Sequence, residues 1–350
     1  MKQERIGAFY LIAGFALAGT ATTAGKALST SLGPFSITAA SLVFALPVLL
    51  PFLARGGRIR ARELGTTAAL GFFGILLYRL CLVSSLRLIG AGEAGLLTGA
   101  APAFTVLVSW FALREKPSSL ALIGAAIASA GIILVNIGMQ RAAGPGTQAS
   151  ASTGSGALGA ALALAAAASE AVFATVSRAV SLSDATPLPE APQPEAPQHE
   201  SVQYAAARSA TNVKDQMDPL RRTALTVAWA LGFSLFPALA ERPAKSFSEL
   251  GASGWFALAW YGLAVTSVSY FCWYQGIKRL PAARAAAFTG IVPVVSLALP
   301  AIALGERPTT AAVIGCALVA AGILAGSGIR PGTAAKNRPP RRGRRRLRAA

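Results

Sequence analysis

The chain carries one pattern twice, as EAGLLTGAAPAFTVLVSWFALREKP at residues 93–117 and as RAAAFTGIVPVVSLALPAIALGERP at residues 284–308. Both stretches contain Thr-Gly, a proline three residues later and a closing Glu-x-Pro, and every match is displaced by 191 positions. A weaker displacement of 152 pairs Gly7 with Gly159. The chain therefore consists of two related halves. The displacement of 191 continues outward without a gap, pairing Gly71 with Gly262, Cys81 with Cys272, Gly124 with Gly315 and Gly131 with Gly322.

Apolar stretches recur through both halves. The composition is 54% hydrophobic and only 13% charged, which is too apolar for soluble domains. A helix needs about 20 apolar residues to cross the hydrocarbon core. The stretches are continuous and rich in Ala and Leu, which favours helices over the alternating strands of a barrel. The sequence predicts an all-α integral membrane protein with ten transmembrane helices, near 7–27, 34–54, 66–86, 93–113, 118–138, 156–177, 223–241, 255–275, 283–304 and 309–327.

Five helices in each half make the two halves opposite in orientation, because five is an odd number. The prediction is an inverted 5+5 repeat, a plan that recurs in secondary transporters. The first half covers 1–140, an outer linker covers 141–154, and the second half covers 155–328. A Pro-rich, disordered cytoplasmic insert is predicted at about 181–220, and a basic cytoplasmic tail at 329–350.

The basic residues separate by side of the membrane. With the N-terminus inside, 25 of the 32 Lys and Arg residues fall in inner segments, six fall in outer segments, and Arg79 lies within a helix. Cytoplasmic loops of membrane proteins carry such an excess. We expect a multi-pass protein of the bacterial inner membrane with both termini in the cytoplasm.

Several function classes find no support in the sequence. The three cysteines lie in predicted helices, and the one histidine, His199, lies in a loop, so neither a metal site nor a catalytic triad is predicted. There is no phosphate-binding Gly-Lys-Ser/Thr loop. We therefore expect no enzyme activity, no cofactor and no direct use of ATP.

The ends of the two repeated stretches, LREKP at 113–117 and LGERP at 304–308, resemble the Gly-Glu-Arg motif of EamA-type transporters in the drug/metabolite transporter superfamily. The resemblance covers about 7–140 and 155–328. It implies ten helices in an inverted repeat, a central cavity, and export or exchange of small metabolites. Relatives carry an aromatic residue where this chain has Ala18 and Glu170, an arginine at about Ser41, and a shorter loop at 181–220.

Arg79 is the clearest candidate for a binding residue. It falls near the middle of the third helix beside Tyr78, and an ionisable side chain at that depth is costly and commonly functional. One interpretation is a cavity-facing cation that binds a carboxylate through its planar fork. The alternative is an interhelical salt bridge or hydrogen bonds to backbone carbonyls.

Glu170 in the sixth helix is the natural counterpart of Arg79. Its carboxylate could take up a proton or bind a substrate amine, or it could pair permanently with Arg79 or Arg178. Together Arg79 and Glu170 could hold a zwitterion such as an amino acid, and loss of both charges should then impair amino-acid transport.

The eighth helix offers aromatic faces and one amide for a small organic solute. Tyr270 is the repeat counterpart of Arg79. For Trp273 and Tyr274 near the helix end, anchoring at the membrane interface or helix packing is an equal alternative. The predicted substrate-binding set is Arg79, Glu170, Tyr78, Tyr270, Trp273, Tyr274 and Gln275.

Gating or hinge residues are predicted at matched positions of the two halves. Pro102 and Pro293 interrupt the fourth and ninth helices and can kink them. Glu93 and Arg284 are matched but opposite in charge. By contrast, we interpret Glu115 and Glu306 as turn and cap residues, and the small residues from Gly124 and from Gly315 onward as packing positions.

The expected partners are a small-molecule substrate and the lipid bilayer. The basic tail is expected on anionic lipid headgroups rather than on nucleic acid. A homodimer is an open alternative to a monomer. Two rival functions are a channel or lipid-handling protein on the same scaffold, and a membrane scaffold without transport activity.

Overall fold

A computed structural model describes residues 2–54, 59–114, 119–142, 152–185, 217–241, 247–280, 285 and 287–326. The predicted tail at 329–350 and residues 143–151 of the predicted linker at 141–154 lie outside these residues, as do Glu115, His199 and Arg284. The described part contains helices and turns and no strand. The principal helices, in chain order, are α1 Gln3–Ser29, α2 Pro34–Leu53, α3 Ala61–Leu86, α4 Ala91–Ala112, α5 Ser119–Ala142, α6 Ser152–Ala185, α7 Pro219–Ala240, α8 Ala252–Ile277, α9 Phe288–Ala303 and α10 Thr310–Gly326.

Seven of these helices are long and apolar enough to cross a membrane, judged over the described residues. They are α1 to α4 and α6 to α8. The apolar segments of α5, α9 and α10 are shorter, at Ser119–Val135, Phe288–Ala303 and Thr310–Gly326. Each helix coincides with one of the ten apolar stretches predicted from the sequence, so the prediction of an all-helical membrane protein is confirmed.

Helices α6 and α7 extend into the two ends of the segment 181–220 that was predicted to be a disordered insert. Helix α6 continues to Ala185, and α7 begins at Pro219, where the Asp218 side chain accepts a hydrogen bond from the Leu220 amide at 3.3 Å. An acidic cap followed by proline is a favourable helix start, because the amides of the first turn have no partner within the helix. Residues 186–216 of the insert lie outside the described part.

Irregular turns interrupt α3 and α8 at matching places. Each contains a π-helical segment, at Gly71–Leu77 in α3 and at Tyr261–Val268 in α8. Helix α4 breaks after Thr98 and resumes at Ala101, while α9 opens with a 3-10 turn before Ile291. Such irregular turns often accompany functional sites in helical proteins.

Glycines bring α5 and α10 into backbone contact. A methyl group on Gly124 would lie 2.5 Å from the carbonyl oxygen of Gly322, and one on Gly131 would lie 2.7 Å from that of Gly315. Only residues without a side chain allow this approach. The prediction that the small residues near Gly124 and Gly315 serve packing is confirmed.

Other close contacts of glycines also recur in the two halves. Residues of α1 and α6 correspond at the displacement of 152, residues of α3 and α8 at 191, and residues of α2 and α7 at 185. The matched contacts are Gly7 with Arg279 and Leu280, Gly159 with Leu88 and Ile89, Gly71 with Thr226 and Ala230, and Gly262 with Ser41 and Ala45. The internal repeat of the sequence is therefore also a repeat of tertiary contacts.

The turns after α4 and α9 share a left-handed backbone conformation. Gly305 has φ of 68°, and Arg114, its repeat counterpart, has φ of 54°. Glycine adopts this conformation freely, whereas a side chain there costs about 1 kcal/mol. The Gly-Glu-Arg motif thus has a conformational reason for its glycine, and the first half lacks that glycine.

Replacing Arg114 with glycine is expected to raise the free energy of unfolding by about 1 kcal/mol, because it removes the strain of a left-handed side chain. Thermal unfolding of the purified protein in detergent measures the change. Arg114→Ala is the matched control, since it removes the same side chain but keeps a Cβ atom. Equal stabilisation by both variants would contradict this explanation.

Candidate substrate-binding site

Arg79 lies at the centre of the bundle, one residue after the start of the regular helix that follows the π segment of α3. Its side chain is 5% exposed. One terminal nitrogen donates a hydrogen bond to the Ser41 hydroxyl of α2 at 2.6 Å, and the other donates to the Thr266 hydroxyl of α8. The guanidinium carbon lies 4.3 Å from the centre of the Tyr261 ring. Arg79 therefore joins three helices.

The hydroxyl groups of Ser41 and Thr266 each donate their proton to a backbone carbonyl, which fixes the orientation of their O–H bonds. Ser41 donates its own proton to the carbonyl of Thr38 at 3.0 Å, and Thr266 donates to the carbonyl of Tyr261 at 2.9 Å. Their lone pairs are thus free to accept from Arg79. Among the described residues no carboxylate pairs with Arg79. Arg79 thus binds hydroxyls on two other helices and contacts one aromatic ring. This is an interhelical role, as in the alternative prediction for Arg79, but its partners are hydroxyls and not a carboxylate or backbone carbonyls.

The contact with Ser41 also accounts for a departure from the family pattern. The resemblance implied an arginine in the second helix at about Ser41. In this chain α2 has Ser41 at that position, and the guanidinium of Arg79 in α3 binds its hydroxyl. The cation beside Ser41 in this chain therefore comes from α3.

Glu170 faces the interior of the protein and is nevertheless exposed. Ala163, Ala166 and Ala167, which lie one and two turns earlier on the same face of α6, are all fully buried. The opposite face carries Leu158, which is 55% exposed. Because Glu170 is exposed on the buried face, its carboxylate faces open space on the inner side of α6, which we call the cavity. No hydrogen bond or ion pair to it is found among the described residues; the Arg178 side chain lies outside them.

Tyr78 and Tyr270 lie near both charged residues. The Tyr78 hydroxyl lies within electrostatic range of both Glu170 and Arg79, and so does the Tyr270 hydroxyl. Both tyrosines are partly exposed. The structure therefore brings together Arg79, Glu170, Tyr78 and Tyr270, which are four of the predicted binding residues.

The rest of the predicted aromatic cluster has other contacts. Trp273 packs in an apolar cluster around Leu11 of α1, and its ring meets that of Tyr274 edge-on at 4.8 Å. The Tyr274 hydroxyl lies 3.5 Å from that of Thr223 in α7. The Gln275 side-chain oxygen accepts a hydrogen bond from Arg279 at 2.7 Å. Tyr274 lies within electrostatic range of Tyr270.

Among the predicted gating residues, Pro102 and Pro293 each follow an irregular turn of their helix. Pro102 begins the second segment of α4, and Pro293 lies in the first turn after the 3-10 segment of α9. Proline is tolerated in a first turn because its missing amide proton would have no helical partner. The irregular turns of α4 and α9 lie just before Pro102 and Pro293, and the gating role of the two prolines stays a prediction. Glu93 accepts a hydrogen bond from the Gly90 amide at 3.3 Å and caps its own helix.

Two carboxylates of the second half, Glu241 and Glu306, cap the starts of helices α2 and α4 in the first half. We call this end of the bundle the tied end. Glu306 accepts hydrogen bonds from the Ala91 and Gly92 amides of α4 at 2.7 and 3.0 Å. Glu241 accepts from the Ser36 amide and hydroxyl of α2 at 2.8 and 2.7 Å. Unpaired amides at a helix start bind carboxylates well. The cap role of Glu306 is confirmed, although the helix it caps lies far away in the sequence.

Two basic side chains at the tied end bind backbone carbonyls near helix ends. The Lys26 ammonium donates to the carbonyls of Leu86 and Ile89, and the Arg87 guanidinium donates to the carbonyls of Ser29 and Leu32. Helix ends leave carbonyls without a partner, and basic side chains satisfy them. Sequence reasoning did not single out Glu241, Lys26 or Arg87. The available signal was their position within a residue or two of predicted helix ends.

The fold and this site define a class of protein: a multi-pass membrane protein whose interior holds charged, hydroxyl and aromatic groups. The EamA-like transporter family model matches residues 5–137 and 204–327. The chain belongs to this family, within the drug/metabolite transporter superfamily, and it is a membrane transporter. The resemblance predicted from the sequence is confirmed.

Individual relatives agree with this assignment. YetK of Bacillus subtilis (strain 168), an uncharacterized transporter, is 24% identical over 328 residues, which cover 92% of this chain and 87% of the relative. An uncharacterized transporter of Archaeoglobus fulgidus is 25% identical over 307 residues, which cover 87% of this chain and 92% of the relative. One crystal structure covers 93% of this chain and 96% of its own, with a TM-score of 0.53 and 22% identity. That likeness shows the fold alone.

Proposed function

We propose that the protein is a secondary transporter that exports or exchanges small metabolites, such as amino acids, by alternating access. One observation carries the proposal: the Glu170 carboxylate is exposed on the buried face of an apolar helix, within electrostatic range of Tyr78 and Tyr270. A charged group in a transmembrane helix costs about 2.5–3.5 kcal/mol on insertion scales, and its retention commonly marks a substrate pathway.

The ten helices are proposed to form an inverted 5+5 repeat. The recurrence of the Gly7 contacts at Gly159, and of the Gly71 contacts at Gly262, supports this arrangement. Two equivalent halves of opposite orientation can exchange conformations, which opens a central site alternately to each side. The charge distribution supports cytoplasmic termini and an inner-membrane location for this repeat.

The tied end would be one gate of this cycle. Glu241 and Glu306 each connect a helix of the second half to a helix start of the first half. These hydrogen bonds keep that end closed and would have to break when the site opens there. The interruptions at Pro102 and Pro293 would supply the hinges, because a helix without a continuous hydrogen-bond ladder bends at low cost.

The function is tested by comparing the medium of cells that overproduce the wild type with that of cells producing Arg79→Ala at matched membrane levels. We expect at least one small metabolite to accumulate only with the wild type. Its flux into vesicles that contain the purified protein should saturate with solute concentration. An unchanged medium together with absent vesicle flux would reject transport, and flux that never saturates would favour a channel.

A further inference from the structure

The two charged residues of the cavity differ in what they offer a ligand. Arg79 is 5% exposed, both of its terminal nitrogens already donate hydrogen bonds, and the Tyr261 ring lies against its face. Glu170 is exposed and has no hydrogen-bond or ion-pair partner among the described residues. A solute that enters the cavity therefore meets an exposed carboxylate and a buried guanidinium that already binds two hydroxyls.

A substrate carboxylate would gain little from Arg79 in this arrangement. The Ser41 and Thr266 hydroxyls donate their protons to the carbonyls of Thr38 and Tyr261, so their accepting sides remain directed at the guanidinium. The remaining N–H groups of Arg79 belong to a side chain that is only 5% exposed, and a carboxylate that took the two bonded N–H groups would leave the Ser41 and Thr266 hydroxyls without a donor. Unsatisfied buried polar groups are costly.

The groups around Glu170 suit an ammonium ion. The partly exposed rings of Tyr78 and Tyr270 offer aromatic faces, and both hydroxyls are in electrostatic range of the carboxylate. An ammonium group binds a carboxylate by charge-assisted hydrogen bonds and binds aromatic faces by cation–π attraction.

We propose that the cavity selects cationic solutes, namely primary amines without a free carboxylate, and that Glu170 is their counter-ion. This inference rests on the proposed function and narrows its substrates from small metabolites in general to amines, in place of amino acids. Arg79 is a positioning residue in this site: it joins α2, α3 and α8 and does not touch the ligand.

Four probes that share a phenyl ring test the charge preference: phenethylamine, phenylalanine, 3-phenylpropionate and 2-phenylethanol. They present a cation, a zwitterion, an anion and a neutral molecule. Equilibrium dialysis of the full-length protein in detergent measures the binding of each. We expect the wild type to bind the amine at least about tenfold more tightly than the other three probes. Tighter binding of phenylalanine than of the amine would overturn the proposal.

Variants at Glu170 test the counter-ion. Glu170→Gln keeps the size of the side chain and should lose about tenfold or more in amine affinity, with the neutral probe unaffected. Glu170→Asp keeps the charge and should retain more of the amine affinity than Glu170→Gln, a difference that misfolding would not produce. Glu249→Gln, an exposed residue before α8, is the matched control and should behave as the wild type. Unchanged amine binding in Glu170→Gln would reject the assignment.

The outcomes separate this inference from the proposed function. Accumulation of a zwitterion or an anion in the medium, with no amine binding, would reject the amine preference and leave transport standing. Amine binding that depends on Glu170, without flux of any solute, would support the site and reject transport. Dependence on Glu170 in both binding and flux would support both.

Discussion

Arg79→Ala is expected to lower transport at least about tenfold and the free energy of unfolding by about 1–3 kcal/mol. The variant removes two hydrogen bonds from a charged donor, each contributing about 1.5–3 kcal/mol, and relief from burying the charge offsets part of the loss. Ser41 and Thr266 are left without a donor, and the link between α2, α3 and α8 is lost. Vesicle flux and thermal unfolding measure the two effects.

Arg79→Lys separates the contribution of the planar guanidinium group from that of the positive charge. A lysine keeps the charge, but its single ammonium cannot reach hydroxyls on two helices in the geometry of a guanidinium. We expect it to transport as poorly as Arg79→Ala. The conservative variant Thr266→Ser, which keeps the accepting hydroxyl, should transport as the wild type does. Full activity of Arg79→Lys would show that the cation alone suffices and that the joining of the helices is not needed.

Gly124→Leu is expected to prevent stable assembly of α5 with α10. The first carbon of the new side chain would meet the Gly322 carbonyl at 2.5 Å and the Gly326 backbone at 2.6 Å. Backbone atoms cannot rotate away, so the helices must separate, at a cost of about 3 kcal/mol or more. The fraction of protein that elutes as a folded species from detergent measures this effect.

Gly232→Leu is the matched control for the crossing. Gly232 lies within α7, and a methyl group added there would meet nothing within 4 Å. This variant should fold as well as the wild type, which separates the contact at Gly124 from the general effect of removing a helical glycine. If Gly124→Leu folded equally well, the close approach of α5 and α10 would not be required for stability.

Much of the architecture could be predicted from the sequence because it depends on local properties. The length and hydropathy of a helix that crosses a membrane are properties of a single stretch. The two halves were visible because Pro102 and Pro293 and their neighbours recur in register. The same pattern predicted the interruptions of α4 and α9 and the packing role of Gly124 and Gly315.

The site could be predicted only as a set of candidates. Arg79 and Glu170 stand out because a charge in an apolar stretch is costly and therefore rare. Their partners could not be deduced, because the hydroxyls that bind Arg79 lie 38 and 187 residues away. Serine and threonine are common in membrane helices, so their sequence positions give no sign of this role.

The amino-acid pattern was sufficient to identify a helical membrane protein of two related halves, with Arg79 and Glu170 as the charged residues farthest from the helix ends. The packing of distant helices was needed to show that Arg79 is buried and binds Ser41 and Thr266, while Glu170 is exposed on the inner side of α6. It also decided that Glu241 and Glu306 cap helices of the other half. The physical reason is that hydropathy acts along a single helix, whereas the pairing of a buried polar group depends on which distant helices pack around it.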